Sequence, residues 1–206
     1  MKKIEKVLII GAIVILTFYI AHQFAFKNRI EKSMNDYIEK TSILTENDSI
    51  TEDEIDTDTE ISKKNGLLTK TIDYKAVLEI PNIDLKEGLV DSTANFNSIN
   101  YAISIDKNSN YPDKMGNFIL YAHSGNSSIA FFKNLYKVNE DDKVYVYYNG
   151  IKYEYIITNK YDVEKSGKVD VITTNSEKYI TLITCNQSRK GYQTVFVGKI
   201  NNEVNY

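Results

Sequence analysis

Hydrophobic and polar positions fall along this chain in three regimes. From Val7 to Phe26 the run VLIIGAIVILTFYIAHQFAF carries no charge over 20 residues. At about 1.5 Å per residue a helix of that length matches a hydrocarbon core of about 30 Å, so a membrane-spanning helix is expected. Residues 31–70 lose that apolar density. Within them NDSITEDEIDTDTE holds seven acidic side chains, no basic one and two isolated isoleucines. Such a stretch buries too little apolar area to offset the entropy of ordering, and it reads as an extended, self-repelling stalk. From about Ile72 short apolar runs are separated by turn signals, in AVLEIPNIDLKEGLV, GNFILYAHS, DKVYVYYNGIKYEYIITNKYDV, YITLITC and YQTVFVGKI. That is the pattern of a mostly β domain. The division expected is therefore 1–30 for a cytoplasmic stub and anchor, 31–70 for the stalk and 71–206 for the globular part.

Two local elements stand out. In KVYVYYNGIKYEYIIT, Asn149 and Gly150 supply the left-handed conformations of a two-residue turn, so Lys143 to Tyr148 and Ile151 to Thr158 should pair as a hairpin. In SSIAFFKNLYKV, residues 127–138, a capping Ser precedes Ile129, Phe132, Leu135 and Tyr136 at helical intervals, which predicts one short helix. Six or more short strands with little helix make a closed barrel or a sandwich of about 135 residues, and periodicity alone does not choose between them.

Composition sharpens this picture in a few places. Sixteen Tyr with no Trp and two Pro favour strands and half-wet surfaces. A net charge of -3 offers nothing to a nucleic-acid backbone. The apolar run exceeds a signal-peptide core of about 7 to 15 residues and lacks a small-x-small site at its end, which favours a retained anchor over a cleaved leader. Lys2, Lys3 and Lys6 precede the run while Lys27, Arg29 and Lys32 follow it, so flanking charge does not orient it. The short N-terminal side argues for a single-pass protein of the cell membrane with its domain on the extracytoplasmic side. His22, near the end of the run, fits a neutral interfacial role.

Chemistry narrows to very few groups. The one cysteine, Cys185, rules out an intrachain disulfide and leaves either an inert thiol or a nucleophile. A thiolate at neutral pH needs a base or a cation beside it, and of the two histidines only His123 lies outside the apolar run. Each of the two ends an apolar run, NFILYA before His123 and YITLIT before Cys185, where a strand gives way to a polar loop. Catalytic pairs on rigid scaffolds often occupy such strand ends.

TLITC at 181–185 resembles the TLxTC signature that carries the nucleophile of sortases, and NFILYAH resembles the strand leading to their catalytic His. AVLEIPNIDLKEGLVDST resembles their first strands, so the likeness runs over residues 74–200. The resemblance implies a closed eight-stranded β-barrel with one or two short helices. It also implies cleavage of an LPxTG-like sorting signal on secreted proteins and transfer of the acyl fragment to a cell-wall or pilin amine. No cofactor or metal is implied. Cys185 would form the acyl-thioester and His123 would serve as acid and base. The family's third residue is an Arg on the strand after the Cys. Here Gln193 of QTVFVGKI falls at that position, and the chain's only arginines are Arg29 and Arg189. Either Arg189, four residues past Cys185, supplies the cation, or Gln193 donates hydrogen bonds without charge; Thr184 is a further candidate donor for substrate or oxyanion. A domain impaired in catalysis that only binds sorting signals is the alternative.

Overall fold

The structure, a computed structural model, describes residues 3–47, 74–92, 102–127 and 129–206. The chain divides into two compact units, Met1–Asp36 and Tyr37–Tyr206. Helix α1, Lys3–Asn47, begins in the first. There Leu8, Ile10, Ile15 and Phe18 are all more than half exposed. Val7, Gln23 and Phe26 of the expected membrane span lie outside the described side chains, and among the described residues no helix is long and apolar enough to cross a membrane.

The stalk expected over 31–70 needs correction at its start, because residues 31–47 continue α1 as helix. Met34, Tyr37, Ile38 and Thr41 recur there at the i, i+3, i+4, i+7 spacing of an apolar helix face, a signal hidden by the acidic stretch that follows. Residues 48–70 lie outside the described residues. Within the second unit, Tyr37 Oη donates to Lys75 O at 2.5 Å and Thr41 Oγ1 lies 2.7 Å from Tyr206 Oη, which ties the end of α1 to both termini of the barrel.

Eight strands form that barrel: β1 Ala76–Ile80, β2 Leu85–Asp91, β3 Ile103–Ile105, β4 Gly116–Tyr121, β5 Lys143–Tyr148, β6 Ile151–Glu164, β7 Lys178–Cys185 and β8 Tyr192–Asn205. They close in the order β1-β2-β3-β4-β7-β8-β6-β5, which decides between barrel and sandwich. Closure gives each strand a hydrogen-bonded neighbour on both sides over part of its length. Pairs β2–β3 and β4–β7 are parallel and the remainder antiparallel. The hairpin stands as expected: Tyr148 pairs with Ile151 across Asn149 and Gly150, at φ 47° and 75°.

Alternation along the strands fills the interior with Phe118 and Leu120 of β4, Tyr153, Tyr155 and Ile157 of β6, Ile180 and Leu182 of β7, and Phe196 of β8. In β6 that alternation changes phase. Ile157 pairs with Gly198 and Asn159 with Val197, so Thr158 is an extra, unpaired residue. Past this bulge Lys160 and Asp162, opposite Phe196 and Thr194, take the inward positions, while Tyr161 and Val163 turn outward.

The helix expected over 127–138 is not formed; Ser128 within it lies outside the described residues. The segment instead makes successive turns, with Lys133 N bonded to Ala130 O and Leu135 N to Phe132 O, and ends in the single 3-10 turn Leu135–Lys137. The cause is the period of three. Phe132, Leu135 and Val138 are fully buried at i, i+3 and i+6, as a 3-10 path requires, whereas Tyr136, which an α-helical face would bury with them, is 57% exposed. Lys160 Nζ holds the end of this turn by donating to Tyr136 O and Val138 O at 2.7 and 2.8 Å.

Candidate active site

Strands β4 and β7 are parallel neighbours in which each residue pairs with the one 62 positions further on, from Gly116 and Lys178 to Tyr121 and Ile183. His123 and Cys185 stand at the same separation, two steps beyond the last pair. The two chain segments stay joined that far. Ala122 N donates to Ile183 O at 3.4 Å, Thr184 Oγ1 to Ala122 O at 2.9 Å and Ser124 Oγ to Cys185 O at 2.7 Å. Hydrogen bonds on both sides of His123 thus hold its backbone level with that of Cys185. A further bond, Phe132 N to His123 O at 3.0 Å, anchors it to the turn segment.

Thr184 is 5% exposed and spends its hydroxyl proton on Ala122 O, so it acts as a staple between the two site segments. Thr184 also lines the cavity beside Cys185, with its hydroxyl proton committed to Ala122 O.

Gln193 is the direct cross-strand partner of Cys185 on β8, and of Val163 on β6. Directly opposed residues of an antiparallel pair share a face with Cβ atoms about 4.5 to 5.5 Å apart, so Gln193 stands on the same face as Cys185. Arg189 lies in the loop between β7 and β8. Asn186 Oδ1 shapes this loop by accepting from Ser188 N and Arg189 N, both at 2.8 Å, and Gly191 takes the left-handed turn at φ 83°. The Arg189 guanidinium carbon sits 3.3 Å from the centroid of the Tyr192 ring, a cation-π stack, and Tyr192 Oη in turn donates to Glu164 Oε1 at 3.0 Å.

The cation at the thiol is a different one. Lys165 Nζ donates to Cys185 Sγ at 3.5 Å. Lys165 is one residue past β6 and still tied to the sheet through its N–H to Gly191 O at 2.8 Å. It continues the outward phase of Tyr161 and Val163, which is the face of Gln193 and Cys185. The sequence reading missed it because nothing near Lys165 in the chain resembles a site; its position depends on the Thr158 bulge.

On the interior side a cavity of about 410 Å³ opens beside Cys185, lined among others by Phe132, Lys160, Asp162, Thr194 and Phe196. Asp162 accepts from Thr194 Oγ1 at 2.8 Å and Asn186 Nδ2 at 2.9 Å, which fixes the root of the β7–β8 loop. Gln187 Nε2 donates to Lys133 O at 2.7 Å and joins that loop to the turn segment.

Residues 78–200 match the sortase domain family model. The chain belongs to the sortase family. Sortase A of Bacillus anthracis is 28% identical over 118 residues, which cover 56% of this chain and 55% of that protein. The chain thus spans about half the length of that sortase. Among solved structures, sortase A of Listeria monocytogenes is 24% identical over 65% of this chain and 90% of its own, with a TM-score of 0.56. A Clostridium perfringens sortase D5 transpeptidase is 21% identical over 84% of this chain and 98% of its own, with a TM-score of 0.61. These two likenesses concern the fold. Gln193, expected from the sequence at the family's arginine position, lies directly opposite the cysteine.

Proposed function

We propose that this chain is an extracytoplasmic cysteine transpeptidase that cleaves an LPxTG-like sorting signal on secreted proteins and joins the acyl fragment to a cell-wall or pilin amine. The observation that carries this reading is the shared register of His123 and Cys185 at adjacent strand ends in a sortase-family barrel. Cys185 Sγ forms a bond to the scissile carbonyl carbon while the carbonyl electron pair moves to oxygen. Collapse of that tetrahedral oxyanion breaks the C–N bond, and His123 gives its proton to the leaving amine. In the second half His123 takes a proton from the incoming amine, which displaces the Cys185 thiolate and forms a new amide.

The charge-free run 7–26 anchors the chain in the cell membrane, and the domain beginning near residue 71 works outside. The length of that run and its lack of charge support that arrangement.

Incubation of the full chain with a sorting-signal peptide, followed by intact-mass measurement, should reveal an acyl adduct that hydroxylamine releases. Cys185→Ala and His123→Ala should each abolish it. An adduct that persists on the Cys185→Ala protein would overturn the reading. A second reading, a domain that binds sorting signals without turnover, is favoured by the uncharged Gln193 opposite Cys185 and by Arg189 being stacked on Tyr192. Peptide binding with no adduct, even with a strong amine present, would select it.

A further inference from the structure

The acyl-transfer reading leaves one electrostatic requirement open. Negative charge collects first on Cys185 Sγ and then on the carbonyl oxygen, and an active site of this kind supplies a fixed positive charge or donor for it. Gln193 carries no charge, and Arg189 is held against Tyr192. Lys165 is the group in contact with the sulfur, with its ammonium 3.5 Å from Sγ.

Its surroundings leave that charge available. Glu164 accepts from Tyr192 Oη, and Asp162 accepts from Thr194 and Asn186. Among the described residues Lys165 has no carboxylate within ion-pair distance. Its backbone is fixed at the junction of β6 and β8, so four carbons of side chain reach from a rigid base to the thiol.

We propose that Lys165 is a catalytic residue of this chain, standing in by charge for the arginine that Gln193 replaces. This rests on the transpeptidase reading above. Lys165 transfers no proton in the reaction. Its ammonium holds the thiolate before attack and the oxyanion while the S–C bond forms, then releases both as the oxyanion collapses and His123 protonates the amine.

Two measurements on the full chain test this. The first compares alkylation of Cys185 by iodoacetate, which is anionic, with alkylation by iodoacetamide, which is neutral. One unit charge at this range is worth about a five-fold preference in water, so Lys165→Ala should lower the iodoacetate to iodoacetamide rate ratio about five-fold and Lys165→Arg should restore it. The second is acyl-enzyme formation with an LPxTG peptide. Lys165→Ala should slow it about ten-fold or more, and Lys165→Arg should return it to within about three-fold of the parent. Lys165 is exposed, so its truncation leaves the barrel core untouched. An unchanged alkylation ratio in Lys165→Ala overturns the proposal. Alkylation decides even where the parent forms no acyl-enzyme, an outcome that would count against the transpeptidase reading instead.

Discussion

Gln193 on β8 and Cys185 on β7 are opposed partners across an antiparallel pair, with Val163 completing the row on β6. The position facing the nucleophile is therefore filled by an amide. Arginine introduced there brings a second charge to the thiol, and Gln193→Arg should speed acyl-enzyme formation about ten-fold, a typical effect for one well-aimed donor. Arg189→Ala should change it less than about two-fold, because that guanidinium is committed to a ring. Single-turnover kinetics separate the two; a slower Gln193→Arg protein would show that this position does not set the electrostatics of the site.

The Thr184 staple gives a second prediction. Thr184→Val keeps the shape but leaves Ala122 O without its side-chain donor, at a cost of about 1 kcal/mol in stability. Loosening the segment that carries His123 should also lower turnover about ten-fold with little change in KM. Thr184→Ser keeps the hydroxyl and should retain most of the parent rate. Equal rates for the Val and Ser variants would show that the bond does not position His123.

Tyr155 offers a test of the core. Its ring is fully buried on β6, and its hydroxyl has no partner among the described residues. A phenol left in that state bears an unreturned desolvation cost, so Tyr155→Phe should raise unfolding stability by about 1 kcal/mol in a urea titration. A loss of stability would mean that the hydroxyl is satisfied in solution.

Alkaline pH should destabilise the domain through its buried tyrosines. Burial, with the nearby Glu87 carboxylate adding to it, pushes Tyr74 up to about 12 from an ordinary 10.0. The same burial raises Tyr111, Tyr147, Tyr153 and Tyr155. A raised folded value means the stabilisation is complete below the ordinary tyrosine pKa and is lost as pH climbs through the folded one. For Tyr74 that window runs from about 10 to about 12. Phenolate absorbance should rise in step with loss of the far-ultraviolet β signal there, and full phenolate absorbance with the β signal intact would contradict it.

Much of this architecture was legible because its signals are local. The Asn149–Gly150 turn, the alternation of β5 and the apolar β4 and β7 runs each announce themselves within about ten residues. The pairing of His123 with Cys185 was legible through motif resemblance, while its physical cause, the parallel register of β4 and β7, is a tertiary fact. Two misreadings share one origin. In 127–138 and in 31–47, a few apolar residues are compatible with more than one path, and packing selects a 3-10 turn in the first and a helix in the second. Lys165 escaped notice because its importance lies in which side of a sheet it occupies.

That side is set by which residue of β6 is left out of the ladder. Removing Thr158 would leave Asn159 opposite Val197 and every later side chain, Lys165 included, on its present face, whereas drawing Thr158 into the ladder would carry them all through the sheet, send Lys165 toward the interior and exchange the roles of Asp162 and Val163. A one-residue gap at Thr158 is then silent for the site. When sortase sequences are aligned, a lysine matched to Lys165 is equivalent where its spacing from Asn159, the first residue paired past the bulge, is kept.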